Sequence, residues 1–142
     1  MLTIANIYQE AVNSKSILLL ITLLLSNAVL SNAVLAGEAL NADDVKALFS
    51  NKTFDIIVVV RDIQLQAYDS DDGIHTVYLP WKDTTAERRW WIDGNKYCTS
   101  HPRYGDRCKV IKPIGNGVYH GLTEGEHTYT LSNFRDGRSF NK

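Results

Sequence analysis

Hydrophobic positions are arranged in two different styles along this chain of 142 residues. Ile17 to Leu25 is an apolar run interrupted only by Thr22, with Lys15 before it and the small-residue stretch Ser26 to Ala36 after it. From Thr53 onward, apolar and polar residues alternate in short segments separated by Gly, Asn and Asp. The first style has the three parts of a secretory leader: a basic start, an apolar centre of about 7–15 residues and small residues before the cut. It predicts cleavage after Ala36, with Ala28 and Ala33 as earlier alternatives, leaving residues 37–142 as a single exported domain. An uncleaved anchor is the competing reading, because Ser16 to Ala36 approaches the ~20 residues of a spanning helix. The Ser-Asn pairs at 26–27 and 31–32 are costly in lipid and count against it. Beyond the leader no stretch is long enough to span, so no membrane span is expected once the leader is removed.

Between the two styles lies a helix signal over 41–50. Asn41 is a good N-cap, Asp44 stands in the capping-box position, and Asp43 and Asp44 suit the positive end of the helix dipole. Leu40 and Val45 are placed to form a hydrophobic staple, and Val45, Leu48 and Phe49 share one face. Asn51 fits a left-handed stop.

The remainder, 53–134, reads as strands. Phe54 to Val60 is rich in β-branched residues, and its apolar part Ile56 to Val60 predicts a strand buried on both faces, one of them covered by the helix. Ile63, Leu65 and Ala67 alternate with polar residues, as in a strand wet on one side. A turn at Asp69 to Gly73 leads into Ile74 to Pro80. Arg89 to Ile92, Asp93-Gly94 and Asn95 to Cys98 predict a hairpin with a type I′ turn. Arg107 to Lys112, Gly117 to Gly121 and His127 to Asn133 complete the set. The expected fold is mainly β: a small antiparallel barrel or strongly curved sheet of about eight strands with one N-terminal helix packed on it.

Charge and cysteines narrow the setting. Loss of Glu10 and Lys15 with the leader leaves 14 basic against 15 acidic side chains, a balance that argues against a nucleic-acid partner. Cys98 and Cys108 are the only cysteines, and in an exported domain they predict a disulfide rather than a redox pair or metal thiolates.

Several short motifs together look familiar. The segment Leu48-Phe49-Ser50-Asn51-Lys52-Thr53, the turn region Tyr68 to Gly73, and Trp91-Ile92-Asp93 leading to Tyr97-Cys98 and a second Cys before Val110 resemble small exported bacterial proteins of unknown function grouped as DUF995-like. The resemblance implies a periplasmic or secreted location and brings no activity with it.

Candidate chemistry is sparse. Asp69-Ser70-Asp71-Asp72-Gly73 fails the spacing of a calcium loop and reads as a turn. Among His75, His101, His120 and His127, only His120 and His127 are placed to face each other across a hairpin, and neither a metal site nor a cofactor is expected. Neither a nucleophile elbow nor a phosphate loop is present. The aromatic set of Trp81, Trp90, Trp91, Tyr97, Tyr104 and Tyr119 is the strongest lead. Trp90 and Trp91 must point to opposite faces of a strand, and Arg88 and Arg89 stand beside them. These four are the expected ligand-binding residues, with one tryptophan exposed or lining a pocket. The expected role is a non-catalytic module binding a small molecule or envelope protein. The alternatives are an inhibitory or structural protein acting through a sheet edge or the Cys98–Cys108 loop, and an envelope hydrolase.

Overall fold

The computed structural model describes residues 37–141; the leader and its cleavage sites lie outside the described residues. One helix, α1 (Ala42–Phe49), precedes eight strands: β1 (Lys52–Val58), β2 (Ile63–Asp69), β3 (Ile74–Leu79), β4 (Thr84–Asp93), β5 (Lys96–Thr99), β6 (Arg107–Gly115), β7 (Val118–Thr123) and β8 (Glu126–Asp136). Each strand pairs antiparallel with the next, and β8 returns to β1, so the sheet is a closed barrel. Among the described residues each strand is therefore paired along at least part of both its sides.

The helix starts as its residues dictate. Asn41 Oδ1 accepts the Asp44 backbone N–H at 2.9 Å, and the Asn41 side-chain amide donates to the Asp44 carboxylate at 2.7 Å. Asn51 follows in the left-handed conformation, φ 58°. Val45 and Phe49 are fully buried, and Leu40 packs on the same core. The helix does not cover a face of β1. Instead Phe49 closes one end of the barrel, stacked on Tyr97 at 3.9 Å between centroids and edge-on to Phe54 and Phe134 at 5.1 and 5.6 Å.

The other correction to β1 lies at its far end. After Val58 the chain enters a 3-10 turn, Val59–Arg61, with Asp62 left-handed at φ 50°. Val59 and Val60 consequently stand 40% and 76% exposed rather than buried in a strand. A matching 3-10 turn, Pro80–Lys82, follows β3 and leaves Trp81 58% exposed.

The β4–β5 hairpin forms where expected, but its turn differs. Asp93 pairs with Lys96, so the two central residues are Gly94 and Asn95. Of these only Gly94 has positive φ, the pattern of a type II′ rather than a type I′ turn. Positive φ at both central residues occurs instead at Asn116-Gly117 and Glu124-Gly125, in the β6–β7 and β7–β8 turns. β4 also begins at Thr84, earlier than the sequence pattern suggests, and its additional residues carry Arg88 into the barrel.

Cys98 on β5 stands directly opposite Cys108 on β6, and the two form a disulfide. The bond ties the base of the loop over residues 100–106. Among the described residues no helix is long and apolar enough to cross a membrane.

Candidate functional site

Closure of an eight-stranded barrel gives an interior that side chains either fill or leave open for one small ligand. Here the two ends differ. The α1 end is filled by Phe49, Phe54, Tyr97, Trp90 and Ile111. Toward the opposite end lies a cavity of about 300 Å³, running from Phe54, His75 and Tyr97 to a rim that includes Val60, Arg61, Trp81 and Tyr104.

Register decides which side chains line it. On β1 to β3 the inward positions above Phe54 and His75 are Ile56, Val58, Ile63, Leu65, Val77 and Leu79, a continuous aliphatic wall. The inward positions of β4 to β6 are Arg88, Tyr97, Thr99, Arg107 and Lys109, joined by Tyr129 and Leu131 from β8. The cavity is thus apolar on one side and cationic and aromatic on the other. None of its lining residues is an acid, a serine or a cysteine.

Lys109 is the most unusual of these groups. It is only 6% exposed, its ammonium sits 4.5 Å from the Tyr129 ring centre and 5.5 Å from that of Tyr97, and its nearest hydroxyl is Thr99 Oγ1 at 3.5 Å. Burial, then the neighbouring Arg107 and Arg88 charges, push it down from 10.5 to about 8, against the opposing pull of Asp69. Burial also lowers Arg88, whose Nε is enclosed without a hydrogen-bond partner.

Below the cavity the only fully buried carboxylate of the described residues, Asp69, is already engaged. It pairs with His75 Nδ1 at 2.5 Å and accepts the Tyr97 hydroxyl at 2.7 Å. Burial and this carboxylate together hold the Tyr97 phenol well above its ordinary value.

Above the cavity the 100–106 loop arches to the β1–β2 turn. Arg61 donates to the Tyr104 hydroxyl at 3.3 Å, and the guanidinium groups of Arg61 and Arg107 lie 5.5 and 5.3 Å from the Tyr104 ring centre. The loop is internally fixed by paired backbone bonds between His101 and Gly105, at 3.1 and 2.9 Å. His101 is lowered by burial and by the surrounding arginines.

Of the four expected ligand-binding residues, Arg88 alone lines this cavity. Trp90 faces inward but toward the filled end, 7% exposed, with its indole N–H donated to the Ser70 carbonyl at 2.9 Å. Trp91 lies half-buried on the opposite face of β4, paired with Cys98, and Arg89 is exposed on that same face. The tryptophan at the cavity rim is Trp81. His120 and His127 do meet, their rings stacked 3.6 Å apart, and His127 Nε2 contacts Thr130 Oγ1 at 3.0 Å. They lack a third ligating group. The one cluster of three such groups among the described residues is Asp93 with Cys98 and Cys108, whose sulfurs are consumed by the disulfide.

Lys109, Arg107, Tyr129 and His75 were not singled out by sequence as ligand contacts. The signal that exposes them is the pairing of Tyr97 with Lys109 and of Thr99 with Arg107, which places two cations on the inner face. Comparison with protein-family models, curated proteins and solved structures returns no match.

Proposed function

We propose that this domain is an exported binding module that takes up one small molecule inside its barrel, through the end opposite α1. The observation that carries the reading is the cavity of about 300 Å³ in a barrel otherwise packed to its floor. That volume stands at the lower end of the range of about 300–1,000 Å³ typical of small-molecule sites. The exposed Val60, Trp81 and Tyr104 at the rim offer apolar contact to an entering ligand. Export is supported by the apolar run Ile17 to Leu25 with its basic and small-residue flanks, and by a disulfide that suits an oxidising compartment. Intact-mass measurement of protein from the envelope fraction tests this part, with a mature start within a few residues of Gly37 expected and a retained 17–25 segment contradicting it.

The binding role is tested with phenylnaphthylamine, an uncharged fluorophore that brightens in apolar surroundings. The wild type is expected to bind one molecule per chain. Leu79→Trp, which fills the cavity from its half-buried aliphatic wall, should abolish that signal while the chain still melts cooperatively. Equal binding by the filled variant would place the probe elsewhere and remove the reading.

A further inference from the structure

We propose that the molecule this barrel takes up is an amphipathic anion, with its apolar part against the β1–β3 wall and a single acidic group held by Lys109 and Arg88. The inference rests on the cavity being the binding site and adds the chemistry of the occupant. Its basis is the mismatch between the two sides of one space. Ile56, Leu65 and Val77 offer only aliphatic contact, while Arg88, Arg107 and Lys109 face the same space with no acid among the lining residues.

A buried cation normally has a carboxylate or several hydrogen-bond acceptors, because an unpaired charge away from water is costly. Lys109 is 6% exposed with one hydroxyl at the limit of hydrogen-bond distance, and Arg88 Nε is enclosed with no partner. Asp69 does not serve them: its oxygens are engaged by His75 and Tyr97, and neither Lys109 nor Arg88 hydrogen-bonds to it. Tyr97 and Tyr129 present their ring faces to the ammonium, which softens the cost of burying it but supplies no acceptor lone pair. An incoming carboxylate would gain charge-assisted hydrogen bonds from Lys109 and Arg88 at once. A neutral ligand would leave both unpaired, and a cation would meet the like charges of Arg88, Arg107 and Lys109 inside and of Arg61 at the rim. The cavity size admits one medium-length chain or a pair of fused rings, not a multi-chain lipid.

The test compares decanoate, decanol and decyltrimethylammonium, which share one chain and differ in head-group charge. They are titrated calorimetrically into the disulfide-bonded protein at neutral pH. Decanoate is expected to bind about ten- to a hundredfold tighter than decanol, the span of one to two charge-assisted hydrogen bonds, and the cation not measurably. Lys109→Met and Arg88→Met should each bring decanoate down to the affinity of decanol without weakening decanol. Each variant is first checked for cooperative melting, so that two independent substitutions report on the same point. Equal binding of decanoate and decanol by the wild type would overturn the anionic head group and leave the cavity reading standing. Binding of none of the three, together with loss of the phenylnaphthylamine signal, would overturn both.

Discussion

The two ends of this barrel are built from the same eight strands yet obey opposite rules. At the α1 end Phe49 sits among Phe54, Tyr97 and Phe134, the Trp90 indole has its acceptor, and Asp69 has two donors. At the open end a lysine is buried without a carboxylate, an arginine nitrogen has no partner and three large apolar side chains stand in solvent around the rim. The interior polar groups of the first end are paired as they stand. The second is incomplete in one consistent chemical sense, being short of an anion and of apolar contact, and that shortage is the ground on which binding is proposed for it.

Substitutions at the two ends should therefore behave differently, and the largest effect belongs to the closed end. Phe49→Ala removes the ring that joins α1 to three barrel aromatics, and a buried Phe→Ala change typically costs about 3–5 kcal/mol. Denaturant unfolding should show that loss, with decanoate affinity little changed in whatever fraction remains folded. A loss under about 1 kcal/mol would mean that α1 is not the plug it is taken to be.

Next in size is the disulfide. Replacing Cys98 and Cys108 together by Ser frees a link across a sequence separation of 10, for which loop-closure entropy gives about 3 kcal/mol. Because the bond holds the base of the 100–106 loop, the double variant should also release bound phenylnaphthylamine faster. Unchanged stability in the double variant would detach the loop from the fold.

Lys109 reverses the sign. Lowered from 10.5 to about 8, it is buried with its charge at neutral pH, facing Arg88, Arg107, Tyr97 and Tyr129 in the cavity and Asp69 beyond it. Between those two values the unfolded chain holds a proton that the folded chain has released, so this group's contribution to stability rises with pH across that window. Below about pH 8 its cost is fully present, on the order of 3 kcal/mol. Lys109→Met should accordingly be more stable than wild type at pH 7 and should lose this rise, as thermal melts across pH would show. Affinity for decanoate should fall as pH climbs through about 8, when the ammonium becomes neutral. A destabilised Lys109→Met would instead make the lysine a structural element.

The smallest effect is expected at the rim. Tyr104 is exposed and joins the loop to Arg61 by one hydrogen bond and a ring contact, so Tyr104→Ala should alter stability by no more than about 0.5 kcal/mol. Stopped-flow release of phenylnaphthylamine should nevertheless quicken. An unchanged rate would show that the 100–106 loop does not cover the entrance.

The closed end was far more legible in the sequence than the open one, and the reason is physical. Asn41, Asp44, Val45 and Phe49 announce a capped helix with one apolar face, and regular alternation of β-branched residues announces strands. Both signals arise from burial of apolar groups, which is what the closed end does. Toward the open end the inward residues of β6 are Arg107 and Lys109, with Ile111 further down in the packed core, while Cys108 and Val110 face outward. Read by polarity alone, such a strand does not disclose which face is inside. Arg88 is concealed in the same way within the polar stretch Thr84 to Arg89, which hides the start of β4 altogether. Trp90 and Trp91 drew attention because they are large, yet one serves the packed end and the other the outer face. A cavity wall made from cations turned inward becomes visible only once cross-strand register is known.

The most direct measurement is a nitrogen-15 and methyl NMR titration of the disulfide-bonded protein with decanoate. Shifts confined to Ile56, Leu65, Val77, Arg88 and Lys109, with Val45 and Ala67 at the closed end unmoved, are the predicted result. Saturable shifts centred on the outer face around Trp91, or no saturable shifts with decanoate, would contradict the assignment of anion binding to the open end.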